Sequence, residues 1–157
     1  MERPPPKVFK VKDPDPDDKF ADIHPHLPQP PSLLLIVGSV KQGKSNLLVN
    51  LLCNPDMYKD KFDIVKIISN TLNADPKGKL LNKFFDCEDH YNDEMITDLI
   101  ESQKKLEDFE RPSVAMVLDD ILTKDFKKSN AVSFLATRFR HYGIGLLAFT
   151  TQSFRAV

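Results

Sequence analysis

Four short, mainly apolar segments constrain this chain most: Leu33 to Val37, Phe62 to Ser69 with Ile64, Val65, Ile67 and Ile68, Val114 to Leu118, and Leu146 to Phe149. Each is too short for a stable helix, and three of them are rich in β-branched residues, so each reads as a strand. Leu33 to Val37, ended by Gly38, reads as a buried parallel strand. The segments between them carry helical spacing. Leu47, Leu48, Leu51 and Leu52 predict a helix over Ser45 to Cys53, closed by Asn54-Pro55. Asn70 to Gly78 reads as a polar turn region, followed by a short helix around Lys79 to Phe85. Asn92 is a good cap, Asp93 and Glu94 suit the positive end of a helix, and Ile96, Leu99, Ile100 and Phe109 form its apolar stripe, with a stop before Pro112. Ser129 opens a last helix through Arg140, with Val132, Phe134, Leu135 and Phe139 inward and Gly143 ending it. Apolar strands alternating with helices predict an α/β architecture with a mainly parallel sheet flanked by helices.

At 157 residues, 41% apolar and 29% charged, the chain suits one ordinary globular core. No apolar run approaches ~18 residues, so nothing in the sequence spans a bilayer, and the start Met-Glu-Arg-Pro-Pro-Pro lacks the apolar stretch of a secretion signal. A cytosol-like compartment is the expectation. Nine of the twelve prolines lie between Pro4 and Pro31, interleaved with Asp13, Asp15, Asp17 and Asp18. Proline removes backbone donors and the charges resist burial, so residues 1–30 are expected to form an extended arm that docks on a partner, and 31–157 the core. Cys53 and Cys87 belong to no CxxC pair and read as reduced, partly buried thiols; His24 and His26 lack further metal ligands nearby. A net charge of −1 argues against a basic nucleic-acid surface spread over the whole molecule but leaves room for a local patch.

Gly38, Ser39, Val40, Lys41, Gln42, Gly43, Lys44 and Ser45 fit G-x-x-x-x-G-K-[ST] at every fixed position, with a strand before and a helix, beginning Ser45-Asn46, after. Glycines permit backbone angles and close approaches that let successive amides wrap phosphate oxygens, and the helix start adds its positive end. Lys44 is placed to reach the β- and γ-phosphates of ATP, and the Ser45 hydroxyl to coordinate Mg²⁺. The alternative is a glycine-rich turn that happens to match.

Asp119 and Asp120 follow the third apolar run, where a carboxylate points into the crevice beyond the strand ends. Asp119 is expected to hold Mg²⁺ through water, and Asp120 to orient or deprotonate the attacking water. Gln152, ending the fourth strand, is expected to sense the γ-phosphate or orient water, with Thr151 a weaker alternative. Arg138 and Arg140 lie two apart on a helix and face different sides. Either could serve a neighbouring subunit's site as a finger.

From Leu33 to Ser153 the sequence resembles the ATPase core of the FtsK/HerA superfamily, nearest to the DNA-packaging ATPases of nucleocytoplasmic large DNA viruses and virophages. The residues carrying the likeness are Gly38 to Ser45, Val114 to Asp120, Arg138-Phe-Arg-His-Tyr-Gly143 and Leu147-Ala-Phe-Thr-Thr-Gln-Ser153. The resemblance implies a RecA-like sheet in which an extra strand, for which the Phe62 strand is available, separates the loop strand from the acidic strand. It implies a core truncated after its fourth strand, because relatives continue with another beside the loop strand. It also implies a homo-oligomeric ring, commonly hexameric, that pulls double-stranded DNA into a capsid in the host cytoplasm or virion, with capsid components as partners of the arm. Arg140 is then the preferred finger. The superfamily more often has Asp-Glu where this chain has Asp119-Asp120, which makes the base one methylene shorter. Lys124, Lys127 and Lys128 are candidate DNA-facing cations. Competing readings are a small-molecule kinase of the same loop class, and a nucleotide-binding switch or scaffold with little turnover.

Overall fold

The computed structural model describes residues 3–9, 22–39, 41–121 and 129–152. In chain order the elements are β1 (Ser32–Val37), α1 (Lys44–Cys53), β2 (Ile64–Ser69), α2 (Pro76–Phe84), β3 (Asp86–Glu88), α3 (Asp93–Lys104), β4 (Val114–Asp119), α4 (Asn130–Arg138), a single 3-10 turn (Phe139–Tyr142) and β5 (Ile144–Thr151). The five strands form one sheet in the order β1-β5-β4-β2-β3, and every pairing is parallel. Helices cover both faces, so the architecture is α/β and compatible with a RecA-like fold.

Alternation along β4 divides the core. Val114, Met116 and Leu118 pack with Ile96 and Ile100 of α3 and Val132 and Leu135 of α4. On the other face Val117 packs with Leu48 and Leu52 of α1 and Leu81 of α2, while Ala115 meets Leu51, Tyr58 and Phe62. Fully burying each large aliphatic of β4 contributes about 1.5–3 kcal/mol, so this strand needs no polar side chain before its end.

A strand does separate β1 from β4, but it is β5 and not the Phe62 strand expected there. β2, which follows Phe62, pairs with the opposite edge of β4. Burial explains the choice: all eight residues of β5 are buried, as a strand with neighbours on both sides and helices on both faces requires. β2 instead carries Lys66, whose ammonium reaches Asp86 of β3 at 3.4 Å, and a charged side chain of that kind fits near a sheet edge.

The first strand is parallel as expected, yet only half-buried. β1 is an edge among the described residues, and Leu33, Leu35 and Val37 remain 47%, 39% and 42% exposed, while Leu34 and Ile36 pack beneath α1. The α3 helix also ends earlier than its apolar stripe suggested. It stops at Lys104, and Phe109 is 80% exposed in the turn that follows. Pro76 takes the first turn of α2 behind an Asp75 cap, so this helix starts inside the segment read as a turn.

The two described parts of the proline-rich arm differ in burial. Residues 3–9 are exposed throughout, but Ile23 is only 6% exposed among Leu51, Tyr58, Phe62 and Leu146, and the Tyr58 hydroxyl donates to the Pro28 carbonyl at 2.6 Å. The last third of the arm therefore packs on the core of its own chain. Both cysteines are free and half-buried; burial, reinforced by Asp86 and Glu88, pushes the Cys87 thiol up to about 11.

Candidate functional site

The carboxyl ends of β1, β5, β4 and β2 converge on a cavity of about 510 Å³. Its first wall is the glycine loop. The Gly38 amide donates to the Thr151 carbonyl at 3.1 Å, which ties the loop's start to the end of β5. Gly43 caps α1 in the left-handed region, at φ 94°, and no side chain caps that helix or places an acid in its first turn. The first amides of α1 are thus left to meet an anion, with the helix dipole behind them. A Cβ at Gly43 would touch nothing, so only its backbone angle demands glycine. Gly38 differs from expectation: a Cβ there would make ordinary contact with Lys44 and Gln42, and the other left-handed residue of the loop is Lys41, at φ 63°. Lys41, Gly43, Lys44 and Ser45 line the cavity; Val40 lies outside the described residues. Ser39 accepts the Gln42 amide at 3.2 Å, closing the turn, and Asn46 sits in the first turn of α1, where its carbonyl accepts from the Asn50 side chain.

Opposite stand the acids. Asp119 accepts from the Ser69 hydroxyl at 2.7 Å and from the Thr150 hydroxyl on its other oxygen. Asp120 turns into the left-handed region, at φ 54°. Its amide donates to the Thr150 carbonyl and hydroxyl, both at 3.1 Å, and its carbonyl accepts from the Asn70 side chain at 3.2 Å. Its carboxylate accepts from the Gln152 amide at 3.3 Å. Burial raises the Asp120 pKa above the ordinary carboxylate value and Asp119 adds to the rise, while the Lys44 charge and the Gln152 bond oppose it.

The structure therefore brings Lys44, Ser45, Asp119, Asp120 and Gln152 together on one cavity. It does not bring Arg140 there. That side chain lines a second cavity of about 320 Å³, with Pro31, Ser113 and Gly145, at the amino ends of the strands. Six residues of β4 separate the two ends, roughly 20 Å of strand. Arg138 lies with its guanidinium over the Phe134 ring, 5.0 Å from the centroid. Lys124, Lys127, Lys128 and Ser153 lie outside the described residues.

The sequence reading missed the cavity's third wall. Thr71 and Asp75, between β2 and α2, and Lys77 in the first turn of α2 line it. Ser69 and Thr150 hold Asp119, and the Thr151 carbonyl accepts the Gly38 amide. The available signal was the polar run Ser69-Asn70-Thr71 directly after an apolar strand, the same punctuation as Asp119-Asp120.

A hard divalent cation fits this donor set. The Ser45 hydroxyl and Asp119 carboxylate are oxygen donors on one cavity, and Mg²⁺ is typically held by one or two carboxylates with phosphates and water completing its shell. No cluster of three or more His, Cys, Asp or Glu that would cage a metal alone occurs among the described residues. Comparison with family models, curated proteins and solved structures finds no match. Among the described residues no helix is long and apolar enough to cross a membrane.

Proposed function

We propose that this chain binds ATP with Mg²⁺ in the 510 Å³ cavity and hydrolyses it, as the motor subunit of a ring that moves double-stranded DNA. The observation that carries the reading is an uncapped helix start with Gly43 in the left-handed region, facing an Asp119-Asp120-Gln152 cluster across one cavity. The loop amides and Lys44 would bind the β- and γ-phosphates, and Ser45 with Asp119 would hold Mg²⁺, which neutralises phosphate charge during transfer. Asp120 would orient the water and receive its proton. A carboxylate with a raised pKa is a better base than an ordinary one, and Gln152 is close enough to fix its direction.

Arg140 supports the oligomeric part of the reading. It lies at the end of the sheet away from its own cavity, so as a finger it would serve a neighbour's phosphate, in a head-to-tail contact of the kind that closes rings. The packaging role, the capsid partner and the viral setting rest on the resemblance of the four motifs. The exposed segment 3–9 is accessible for such a partner.

ATP hydrolysis measured with and without long double-stranded DNA tests the reading. Stimulation by DNA, lost in Lys44→Ala and Asp119→Ala, is the expected outcome. Phosphate transfer to a small acceptor, or binding without turnover in the assembled ring, would replace the motor with a kinase or a switch.

A further inference from the structure

Ser69, Asp119 and Thr150 form one row across three adjacent strands. In the sheet register Ser69 pairs with Asp119 and Asp119 with Thr150, so all three side chains emerge on the same face, the one covered by α1. A carboxylate held by one donor still turns about its Cβ–Cγ bond. Here each oxygen has its own hydroxyl donor, one from β2 and one from β5, and the plane of the group is fixed. Each oxygen keeps a free lone pair.

The direction of the Ser69 proton is set as well. The Thr71 amide donates to Ser69 Oγ at 3.3 Å, and Ser69 passes its own hydrogen to Asp119 at 2.7 Å. Ser69 is 3% exposed and Thr150 wholly buried, so water does not compete for either bond. Thr150 has a second task, since it also receives the Asp120 amide; among the described residues the Ser69 side chain bonds Asp119 and its own loop.

We propose that Ser69 is a positioning residue that holds Asp119 in the orientation in which its free lone pairs meet the water shell of a divalent cation. Metal affinity is then partly set from β2, outside both the glycine loop and the acidic strand. This rests on the cavity being a triphosphate site. Removing a partner that orients a metal ligand typically costs 10- to 100-fold in metal affinity, while leaving contacts to the phosphates themselves in place.

The test is equilibrium binding of a fluorescent ATP analogue to the full chain, with EDTA and across a Mg²⁺ titration. In Ser69→Ala the Mg²⁺ midpoint should rise about tenfold while affinity in EDTA stays at the wild-type value. Ser69→Thr, which restores a hydroxyl on a β-branched residue suited to a strand, should return the midpoint towards wild type. Ser69→Cys, close in volume but a weak donor, should fall between and guards against a folding defect in the alanine variant. A wild-type Mg²⁺ midpoint in folded Ser69→Ala or Ser69→Cys overturns this inference alone, leaving a serine that only satisfies its own hydroxyl. Absence of nucleotide binding by the wild-type chain removes the triphosphate reading and this inference with it.

Discussion

At the carboxyl ends of β2, β4 and β5 polar side chains bond mainly to one another, whereas at the amino ends of the same strands they bond mainly to backbone. Ser69, Asp119, Thr150, Asp120 and Gln152 form the first group, around an open cavity. In the second, Gln103 donates to the Pro112 and Tyr142 carbonyls at 2.9 and 2.8 Å, and Asp63 accepts the Ser113 amide and hydroxyl at 2.8 and 3.0 Å. Arg111 donates to the Gln103 and His141 carbonyls at 2.7 and 2.9 Å. Side chains that bond backbone fix where loops go. Side chains that bond each other beside a cavity hold their remaining lone pairs towards open space, and under the proposed reading the two ends divide architecture from chemistry.

Substitutions should separate the ends cleanly. The largest expected effect is at the carboxyl ends, where Lys44→Ala should weaken nucleotide binding by about a hundredfold or more, because a phosphate charge loses its partner. Its thermal midpoint should stay near wild type, since Lys44 is a cavity-lining residue and not part of the packed core. Calorimetric titration and thermal unfolding on one preparation read both. At the amino ends the pattern should invert. Gln103→Ala leaves two carbonyls without their donor at a 2% exposed site and should cost about 2–3 kcal/mol, roughly 4–12 °C in midpoint for a chain of this size, with nucleotide affinity unchanged. Parallel losses of binding and stability in either variant would break the division.

Gly143→Ala probes the same hub from the other side. Gly143 sits at φ 74°, and a Cβ there would stand 2.9 Å from the Gln103 amide and 3.2 Å from the Pro112 carbonyl. A cost of about 2 kcal/mol is expected from the strained angle and the displaced bond, read by denaturant unfolding. Arg140→Ala should be milder still in the isolated chain, leaving midpoint and nucleotide affinity at wild-type values, and should lower hydrolysis only in the assembled ring.

Much of the architectural end was legible in the sequence because its signals are local. The Asn92 and Ser129 caps accept from Met95 and Val132 as their types suggest, and Gly143 adopts the left-handed end expected of it. Of the glycine loop, Gly43 takes the left-handed angle that its residue type allows, whereas Gly38 needs no glycine and Lys41 takes the other left-handed position. Strand order was not, because the competition between β2 and β5 for the place beside β4 is settled by burial across the whole sheet, and only Lys66 hinted at it. β3, three residues of Asp86-Cys87-Glu88, has no apolar run to announce it. Ser69 was missed for the same reason as Ile23: each gains its role from a partner distant in sequence, Asp119 in one case and Tyr58 with Phe62 in the other.

Asp120 offers the finest test of the comparison, because a chemical end should carry a local cost that the architectural end does not. Its folded-state pKa is raised, chiefly by burial and then by Asp119, so ionising it is harder in the folded chain than in the unfolded one. Folding is then disfavoured by this group at pH values above its folded pKa, and the penalty disappears as pH falls below the unfolded carboxylate value of ~3.9. Asp120→Asn should therefore raise the thermal midpoint slightly at pH 7 while abolishing hydrolysis, with the gain shrinking to the pH-independent difference between the two side chains as the solution is acidified. Asn is also at ease in the left-handed region that Asp120 occupies at φ 54°, and that contribution persists at every pH. Thermal unfolding of both proteins from pH 3 to pH 7 isolates the part due to charge. A gain that is constant across the range would mean that the cavity places no electrostatic burden on Asp120, and its assignment as the base would lose its physical support.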